Sequence, residues 1–235
     1  MQTEALRQVV AERQARRAAI LLTDMDGGPD RVLREADAVE GELAAAVARA
    51  FRTGLSGAVE ADGRRYFLNV HLPPPRLLVV GAVHISQALA PMARIAGFDM
   101  EIVDPRTAFA TAERFPDVPL HADWPEVVLA ARPLDPYTAV AAVTHDPKID
   151  DLPLKAALDA GCFYVGALGS RKTHAKRVER LTGLGASEVD IARIRAPIGL
   201  DIGAVSPQEI AVAILAQIVQ ALRSRAIGPG SATTP

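Results

Sequence analysis

The fold is decided by residues 76–96, which read RLLVVGAVHISQALAPMARIA. The first five residues form an apolar run typical of a buried strand, and Gly81 then turns the chain. Apolar residues recur from Ile85 at helical spacing, and a second strand over residues 100–103 ends at Asp104. A strand, a tight glycine turn, a helix and a second strand ending in a carboxylate are typical of the opening βαβ unit of a Rossmann-type nucleotide site.

The glycine pattern of this turn is incomplete. A dinucleotide-binding turn usually reads G-x-G-x-x-G/A. Here Gly81 supplies the first glycine and Ser86 the small third position, but Val83 stands where the middle glycine belongs. Because that glycine lets a pyrophosphate approach the backbone closely, Val83 should hinder ordinary NAD binding. The pattern therefore supports the fold and leaves open whether a nucleotide binds in this crevice.

The composition predicts a globular protein of one large or two small domains. Of 235 residues, 49% are hydrophobic and 23% charged, which is enough apolar side chain for a well-packed core. The net charge of −2 and the 4% of aromatic residues argue against nucleic-acid binding. Cys162 is the only cysteine, which excludes an internal disulfide and a thiolate-rich metal site. Without a membrane-length apolar run or a signal-peptide pattern, we expect a cytoplasmic protein with no membrane partner.

A Pro-Pro-Pro run at residues 73–75 separates two patterns of secondary structure. Residues 1–75 predict a small α+β module whose last two strands are joined by the hairpin dipeptide Asp62-Gly63. Residues 76–226 alternate strand-like and helical segments, which predicts a Rossmann-like, mostly parallel α/β sheet with helices on both faces. The composition of residues 227–235 is typical of a disordered tail.

Four of the later elements of the predicted second domain are clear in the sequence. Apolar runs predict buried strands at residues 138–144 and 162–166, with a helix at 152–160 between them. A capping box at Ser206 begins a helix that continues to about Arg223. That helix is apolar nearly all round, which indicates burial in the core or in the interface of a homodimer.

The candidate binding residues follow the predicted strands, because ligands of an open α/β sheet bind beyond the carboxyl ends of its strands. Five loops rich in Gly, His, Asp, Arg and Ser are expected to converge on this one edge. They contribute, in chain order, Gly81, Ala82, Val83 and His84, then Asp104 and Arg106, then Thr144, His145 and Asp146, then Gly166, Gly169, Ser170 and Arg171, and finally Gly199, Asp201 and Gly203.

The loop from Gly166 to Arg171 is a candidate phosphate site. Its N–H groups, the Ser170 hydroxyl and the Arg171 guanidinium have the chemistry to hold a phosphate. The alternative is that Ser170 caps the next helix and Arg171 is solvated. That helix is basic over residues 172–180, which indicates either a solvated face or a surface that attracts an anion.

The polar residues after the second and third strands have alternative roles. Asp104 lies about 20 residues after Gly81, where a carboxylate bonds a ribose hydroxyl, although a strand-end cap explains it equally well. His145 is the best titratable candidate and the only catalytic residue we would name if the protein is an enzyme. Asp146 is favoured as a helix N-cap over a partner for His145 in proton transfer or metal binding. We predict no metal ligands, and a buried, inert Cys162.

Five segments resemble the C-terminal Rossmann domain of the XdhC/CoxI family in order and spacing. They are GAVHISQAL at 81–89, VDPR at 103–106, THDPK at 144–148, YVGALGSR at 164–171 and PIGLDIG at 197–203. The resemblance implies a non-catalytic chaperone that binds molybdenum cofactor, as molybdopterin or its cytidine dinucleotide form. It further implies insertion into a molybdenum hydroxylase apoenzyme such as xanthine dehydrogenase or carbon monoxide dehydrogenase, after sulfuration by a cysteine desulfurase.

Two departures from the family pattern keep other functions in view. Many members carry Gly at the position of Val83, and their N-terminal region is longer than residues 1–75 and holds motifs missing here. One alternative is an NAD(P)-dependent oxidoreductase that uses His145, and another is a nucleotide-sensing regulatory domain that dimerises through the helix starting at Ser206. The absence of a Tyr-x-x-x-Lys dyad favours the binding protein over the oxidoreductase.

Overall fold

The computed structural model describes residues 3–225, which divide into two compact units. One unit comprises residues 3–73 together with 223–225, and the other is Pro74–Leu222. The tail predicted at residues 227–235 lies outside the described residues. Within residues 3–225, none of the helices combines the length and the apolar character needed to cross a bilayer.

The first unit is an α+β module built on a four-stranded antiparallel sheet in the order β2-β1-β4-β3. Asp62 and Gly63 join β3 to β4 with φ of 52° and 71°, the positive values that a type I′ hairpin turn requires. The elements are α1 (Thr3–Gln14), β1 (Ala19–Asp24), β2 (Arg31–Arg34), α2 (Gly41–Thr53), β3 (Gly57–Ala61) and β4 (Arg64–His71).

The second unit confirms the predicted Rossmann-like α/β fold. Its elements are β5 (Arg76–Val80), α3 (His84–Ile95), β6 (Asp99–Val103), β7 (Leu120–His121), α4 (Pro125–Ala131), β8 (Thr138–Ala142), α5 (Pro147–Asp159), β9 (Tyr164–Ala167), α6 (Arg171–Gly183), α7 (Glu188–Ala192), β10 (Ile194–Arg195) and α8 (Pro207–Ser224). The sheet runs β10-β9-β8-β5-β6-β7 and every pair in it is parallel. Read from the β7 edge, this is the 3-2-1-4-5-6 order of dinucleotide-binding folds.

Helices cover both faces of this sheet, as the alternation along β5 shows. Leu77 and Val79 pack in one apolar cluster with side chains of α3 and α8. Leu78 and Val80 point the other way and pack in a second cluster with α4, α5, α6 and α7. All four side chains are buried, because a central strand of a parallel sheet has no solvated face.

Several predicted boundaries were wrong, and the last helix is buried along one side of the single chain. β8 ends at Ala142 and β9 begins only at Tyr164, because the flanking residues turn the chain although they are apolar. β7 and β10 were not predicted, since two-residue strands carry no periodicity. α8 is not buried all round: Val212 is 47% and Val219 37% exposed, while Ile214 and Ile218 are buried.

Candidate functional site

The first and third turns meet at the centre of the sheet edge. β5 and β8 are neighbours, with Val80 opposite Ala142, and they stand where the strand order reverses. Gly81 has φ of 125°, and a Cβ added there would lie 2.8 Å from Cγ2 of Thr144. Only glycine therefore lets the turn after β5 approach the turn after β8. The crevice at this reversal is where folds of this kind bind their ligands.

Asp104 holds the first and second turns together. Its buried carboxylate accepts hydrogen bonds from the backbone N–H groups of Ala82 at 2.8 Å and Arg106 at 3.0 Å. It also accepts from Nε and Nη2 of Arg106 at 2.9 Å and 2.7 Å. Burial alone would raise the pKa of the Asp104 carboxyl, but the hydrogen bonds from Arg106 and Ala82 outweigh it and hold that pKa below its ordinary value. The capping role is confirmed, and a ribose would have to displace these bonds.

The first turn of α3 is open to an external acceptor. Val83 occupies the N-cap position and has no side-chain oxygen to cap the helix. The Ser86 hydroxyl donates instead to the carbonyl of Gly81 at 2.5 Å, and His84 is exposed. Backbone N–H groups at an uncapped helix start attract a phosphate or another anion.

The helices after β8 and β9 are capped by their own side chains. Asp146 accepts from the N–H of Lys148 at 3.0 Å, which confirms the N-cap interpretation. Ser170 accepts from the N–H of Thr173 at 3.2 Å, so its hydroxyl caps α6, as the alternative interpretation held. Arg171 is exposed at the start of α6. Of the three helix starts that follow β5, β8 and β9, only that of α3 lacks a side-chain cap.

A buried carboxylate organises the turn after β8. Asp150 is 1% exposed and accepts hydrogen bonds from the Thr144 hydroxyl at 2.6 Å and the His145 N–H at 3.1 Å. Burial raises the pKa of Asp150 from 3.8 to about 6 against the effect of these bonds. His145 is exposed and has φ of 68°, a left-handed conformation that is uncommon outside glycine.

The turn after β9 reaches this third turn through Gly169. Gly169 has φ of 131°, and a Cβ there would lie 3.8 Å from Nδ1 of His145. Gly166 lies inside β9 rather than in the loop, so its placement in a phosphate-binding loop was wrong. A Cβ on Gly166 would stand 2.6 Å from the Tyr164 hydroxyl and 2.7 Å from Cγ1 of Ile198, so this glycine serves packing.

The fifth loop is tied to α8 instead. The N–H of Gly199 donates to Oε1 of Gln217 at 2.9 Å, and Nε2 of Gln217 donates back to the Gly199 carbonyl at 3.1 Å. Asp201 and Gly203 are exposed, and within residues 3–225 no hydrogen bond or ion pair joins them to the other turns. Four of the five predicted loops have contacts that link them at this edge, and the fifth is joined to the end of β9 through the Ile198 N–H, which donates to the Ala167 carbonyl at 3.2 Å.

A cavity beside these turns was not predicted. It has a volume of about 350 Å³ and is lined by side chains of α5, α6 and the β8–α5 turn: His145, Pro147, Asp150, Asp151, Lys172, Thr173, Lys176, Arg177 and Arg180. The basic stretch of α6 drew attention in the sequence, but nothing there distinguishes Arg177, which is buried, from its exposed neighbours Lys172 and Lys176.

The last candidates for reactivity are the single cysteine and any group of metal ligands. Cys162 is buried, and burial raises the pKa of its thiol to about 12, which confirms an inert apolar role. Among the described residues, no three His, Cys, Asp or Glu side chains are grouped so that they could hold a metal ion.

Residues 77–218, which include the carboxyl ends of all six parallel strands, match the family described as the XdhC Rossmann domain. The chain belongs to the XdhC family. It is 32% identical over 156 residues to a probable xanthine dehydrogenase subunit of Bacillus subtilis, covering 66% of this chain and 45% of that protein. It is 33% identical over 146 residues to "Molybdenum cofactor insertion chaperone PaoD" of Escherichia coli, covering 62% of this chain and 40% of that one.

Two further proteins are similar to the chain. "Uncharacterized protein YqeB" of Escherichia coli is 34% identical over 156 residues, 66% of this chain and 28% of that protein. The chain thus spans less than half the length of these three curated relatives. A crystal structure of a xanthine dehydrogenase from Bacillus halodurans matches 94% of this chain and 65% of that one, with a TM-score of 0.63 and 23% identity. That likeness confirms the fold.

Proposed function

We propose that this XdhC-type unit binds molybdenum cofactor at the carboxyl edge of its parallel sheet and helps to insert it into a molybdenum hydroxylase. The observation that carries the proposal is the uncapped start of α3 at the reversal of strand order, inside a segment shared with a named molybdenum cofactor insertion chaperone. The chain binds, orients and shields the cofactor, while the redox chemistry belongs to the molybdenum centre once it is in the target enzyme.

The residues at this edge fit the phosphate that the cofactor carries. Gly81 keeps the first turn narrow, and the N–H groups at the start of α3 are the donors that a phosphate needs. His84 and Arg171 are exposed and add polar or cationic contacts. These donors suit molybdopterin as well as its cytidine dinucleotide form.

Two features favour this carrier over an NAD(P)-dependent oxidoreductase. Both oxygens of Asp104 already accept hydrogen bonds from Ala82 and Arg106, so none is free for the ribose. Val83 is partly buried against the apolar core at the place where a dinucleotide needs glycine. His145 is then a wall of the crevice rather than an acid or base.

The proposal extends to partners and location. The recipient is a molybdenum hydroxylase apoenzyme, and a cysteine desulfurase is the partner that would sulfurate the bound cofactor. We place the homodimer contact on the exposed side of α8, at Val212 and Val219. The setting that suits all these partners is the cytoplasm.

The test is cofactor content after anaerobic co-expression with the molybdopterin pathway. The purified protein is acid-oxidised and assayed for pterin fluorescence, with molybdenum measured in parallel. His84→Glu places a negative charge at the start of α3, where it suits the helix but repels a phosphate, so pterin content should fall at least about tenfold with the fold unchanged. Ala96→Glu adds the same charge at the far end of α3 and should retain the cofactor. Wild-type protein without pterin would refute the proposal.

A further inference from the structure

Arg177 is a buried cation with unused donors. Its side chain is 2% exposed, and Nη2 donates to the carbonyl of Leu168 at 2.9 Å. Nε and Nη1 have no hydrogen-bond partner among the described residues. A buried guanidinium with free N–H groups is costly and rare in folded proteins, so it calls for an acceptor that the chain itself does not supply.

The two carboxylates beside Arg177 have other partners. Asp151 accepts from Nε and Nη2 of Arg180 at 2.5 Å and 3.1 Å. Asp150 accepts from the Thr144 hydroxyl and the His145 N–H, and no ion pair within 4 Å joins either carboxylate to Arg177 in the described chain. The free donors of Arg177 are thus not satisfied by the two acids of α5.

The surrounding cavity has the charge to receive an anion. Lys172, Lys176 and Arg180 recur at four-residue spacing along one face of α6, and Arg177 lies beside them on that face. Against these four cations stand the carboxylates Asp150 and Asp151, so the lining carries two positive charges in excess. The heads of Lys172 and Lys176 are exposed, which leaves the cavity open to solvent at its rim.

We propose that this cavity is a phosphate-binding site in which Arg177 donates to a phosphate oxygen through a free N–H group while Lys172 and Lys176 complete the charge balance. A charge-assisted hydrogen bond from a guanidinium N–H to a phosphate oxygen is strong, and an excess of two positive charges matches a dianion. His145 lines the cavity and lies beside Gly169, so the site adjoins the ligand-binding edge of the sheet. The phosphate site itself is independent of the proposed function. Only the identification of the phosphate as part of the cofactor rests on that function.

The probe is inorganic phosphate, titrated calorimetrically at constant ionic strength set with sodium chloride. Arg177→Met keeps an unbranched side chain in place of the aliphatic stem and removes the donors, and should weaken phosphate binding at least about tenfold. Lys176→Met changes an exposed side chain that the fold does not need and should weaken binding about threefold to tenfold. The matched control Arg94→Met removes the same charge from an exposed position of α3 and should bind as wild type.

The two sources of phosphate are separated by titrating cytidine diphosphate in parallel. Tighter binding of the nucleotide that is lost in Arg177→Met assigns the site to a nucleotide-bearing cofactor, and equal binding assigns it to a bare phosphate group. Wild-type protein that does not bind either ligand above the chloride background, or Lys176→Met and Arg177→Met variants that bind as wild type, would overturn the site. Missing pterin after co-expression would instead count against the proposed function and leave these titrations valid.

Discussion

Asp150 should make the stability of the second unit fall as the pH rises from 4 to 7. Its carboxyl is 1% exposed, and burial raises its pKa from 3.8 to about 6. Near pH 4 the folded protein keeps the carboxyl protonated, and burying the neutral group costs little free energy. Between these two pKa values the unfolded chain releases the proton while the folded chain retains it, so the free energy of unfolding decreases. Above about pH 6 the decrease in the free energy of unfolding is complete.

The size of this effect follows from the difference between the two pKa values. A difference of about two corresponds to about 3 kcal/mol in total, of which about 2–3 kcal/mol falls between pH 4 and pH 7. Replacing Asp150 with Asn removes the titration and keeps the side-chain shape, including an oxygen that can accept from Thr144 or His145. Any constant loss from the changed hydrogen bonds does not depend on pH and leaves the slope unaffected.

The assay is urea unfolding of wild type and Asp150→Asn at a series of pH values. Trp124 is the only tryptophan of the chain and lies in the second unit, so its fluorescence reports the unfolding of that unit. The stability of wild type relative to Asp150→Asn should drop by about 2–3 kcal/mol from pH 4 to pH 7. The control Asp159→Asn removes an exposed carboxyl of α5 and keeps Asp150, so the difference in stability between wild type and this variant should not drop in this way. Parallel pH profiles for wild type and Asp150→Asn would refute the reasoning.

Two further changes test the packing of the second unit by the same fluorescence assay. Gly81→Ala should lower the free energy of unfolding by about 3–5 kcal/mol, because φ of 125° is strained for alanine and the new Cβ meets Thr144 at 2.8 Å. The control Gly97→Ala has a positive φ but open space around the new Cβ, and should lower it by about 1–2 kcal/mol. Equal losses in the two variants would contradict the crowding at Gly81. Ile214→Ala should lower the free energy of unfolding by about 2–5 kcal/mol because the Ile214 side chain is fully buried. Val212→Ala, at a half-exposed position of the same helix, should lower it by less than about 1 kcal/mol. Similar losses in the two variants would mean that α8 does not pack as described.

The sequence predicted the second unit well because its strands are buried on both faces. Continuous apolar runs such as that of β5 have no other explanation in a chain that alternates them with amphipathic segments. Ser206 was recognised as a helix start, and its hydroxyl accepts from the backbone N–H of Glu209 at 3.2 Å. The sequence did not predict the two-residue strands β7 and β10. They form because neighbouring strands offer them hydrogen-bond partners, and a short stretch of sequence does not show which strand will lie beside it.

The candidate site was predicted by position and less well by role. The rule that ligands bind beyond strand ends placed Gly81, Thr144 and His145 correctly beside one another. Gly166 was misassigned because a glycine needed for packing looks the same in sequence as one needed for a phosphate. Arg177 was missed because the helical period that places a basic residue inward does not reveal that two of its nitrogens lack partners.

The hydrogen bonds of Asp104 make the binding edge rigid before any ligand arrives. Moving the first turn away from the second would break the hydrogen bond from the Ala82 N–H to the buried Asp104 carboxylate, which costs about 1.5–3 kcal/mol for a bond to a charged group. At that cost the opened turn is populated in fewer than about one molecule in ten. A ligand should then bind and leave in single kinetic phases, without a slow rearrangement of the backbone. Under the proposed function, release of the cargo depends on competition from the recipient enzyme rather than on a conformational trigger within the carrier.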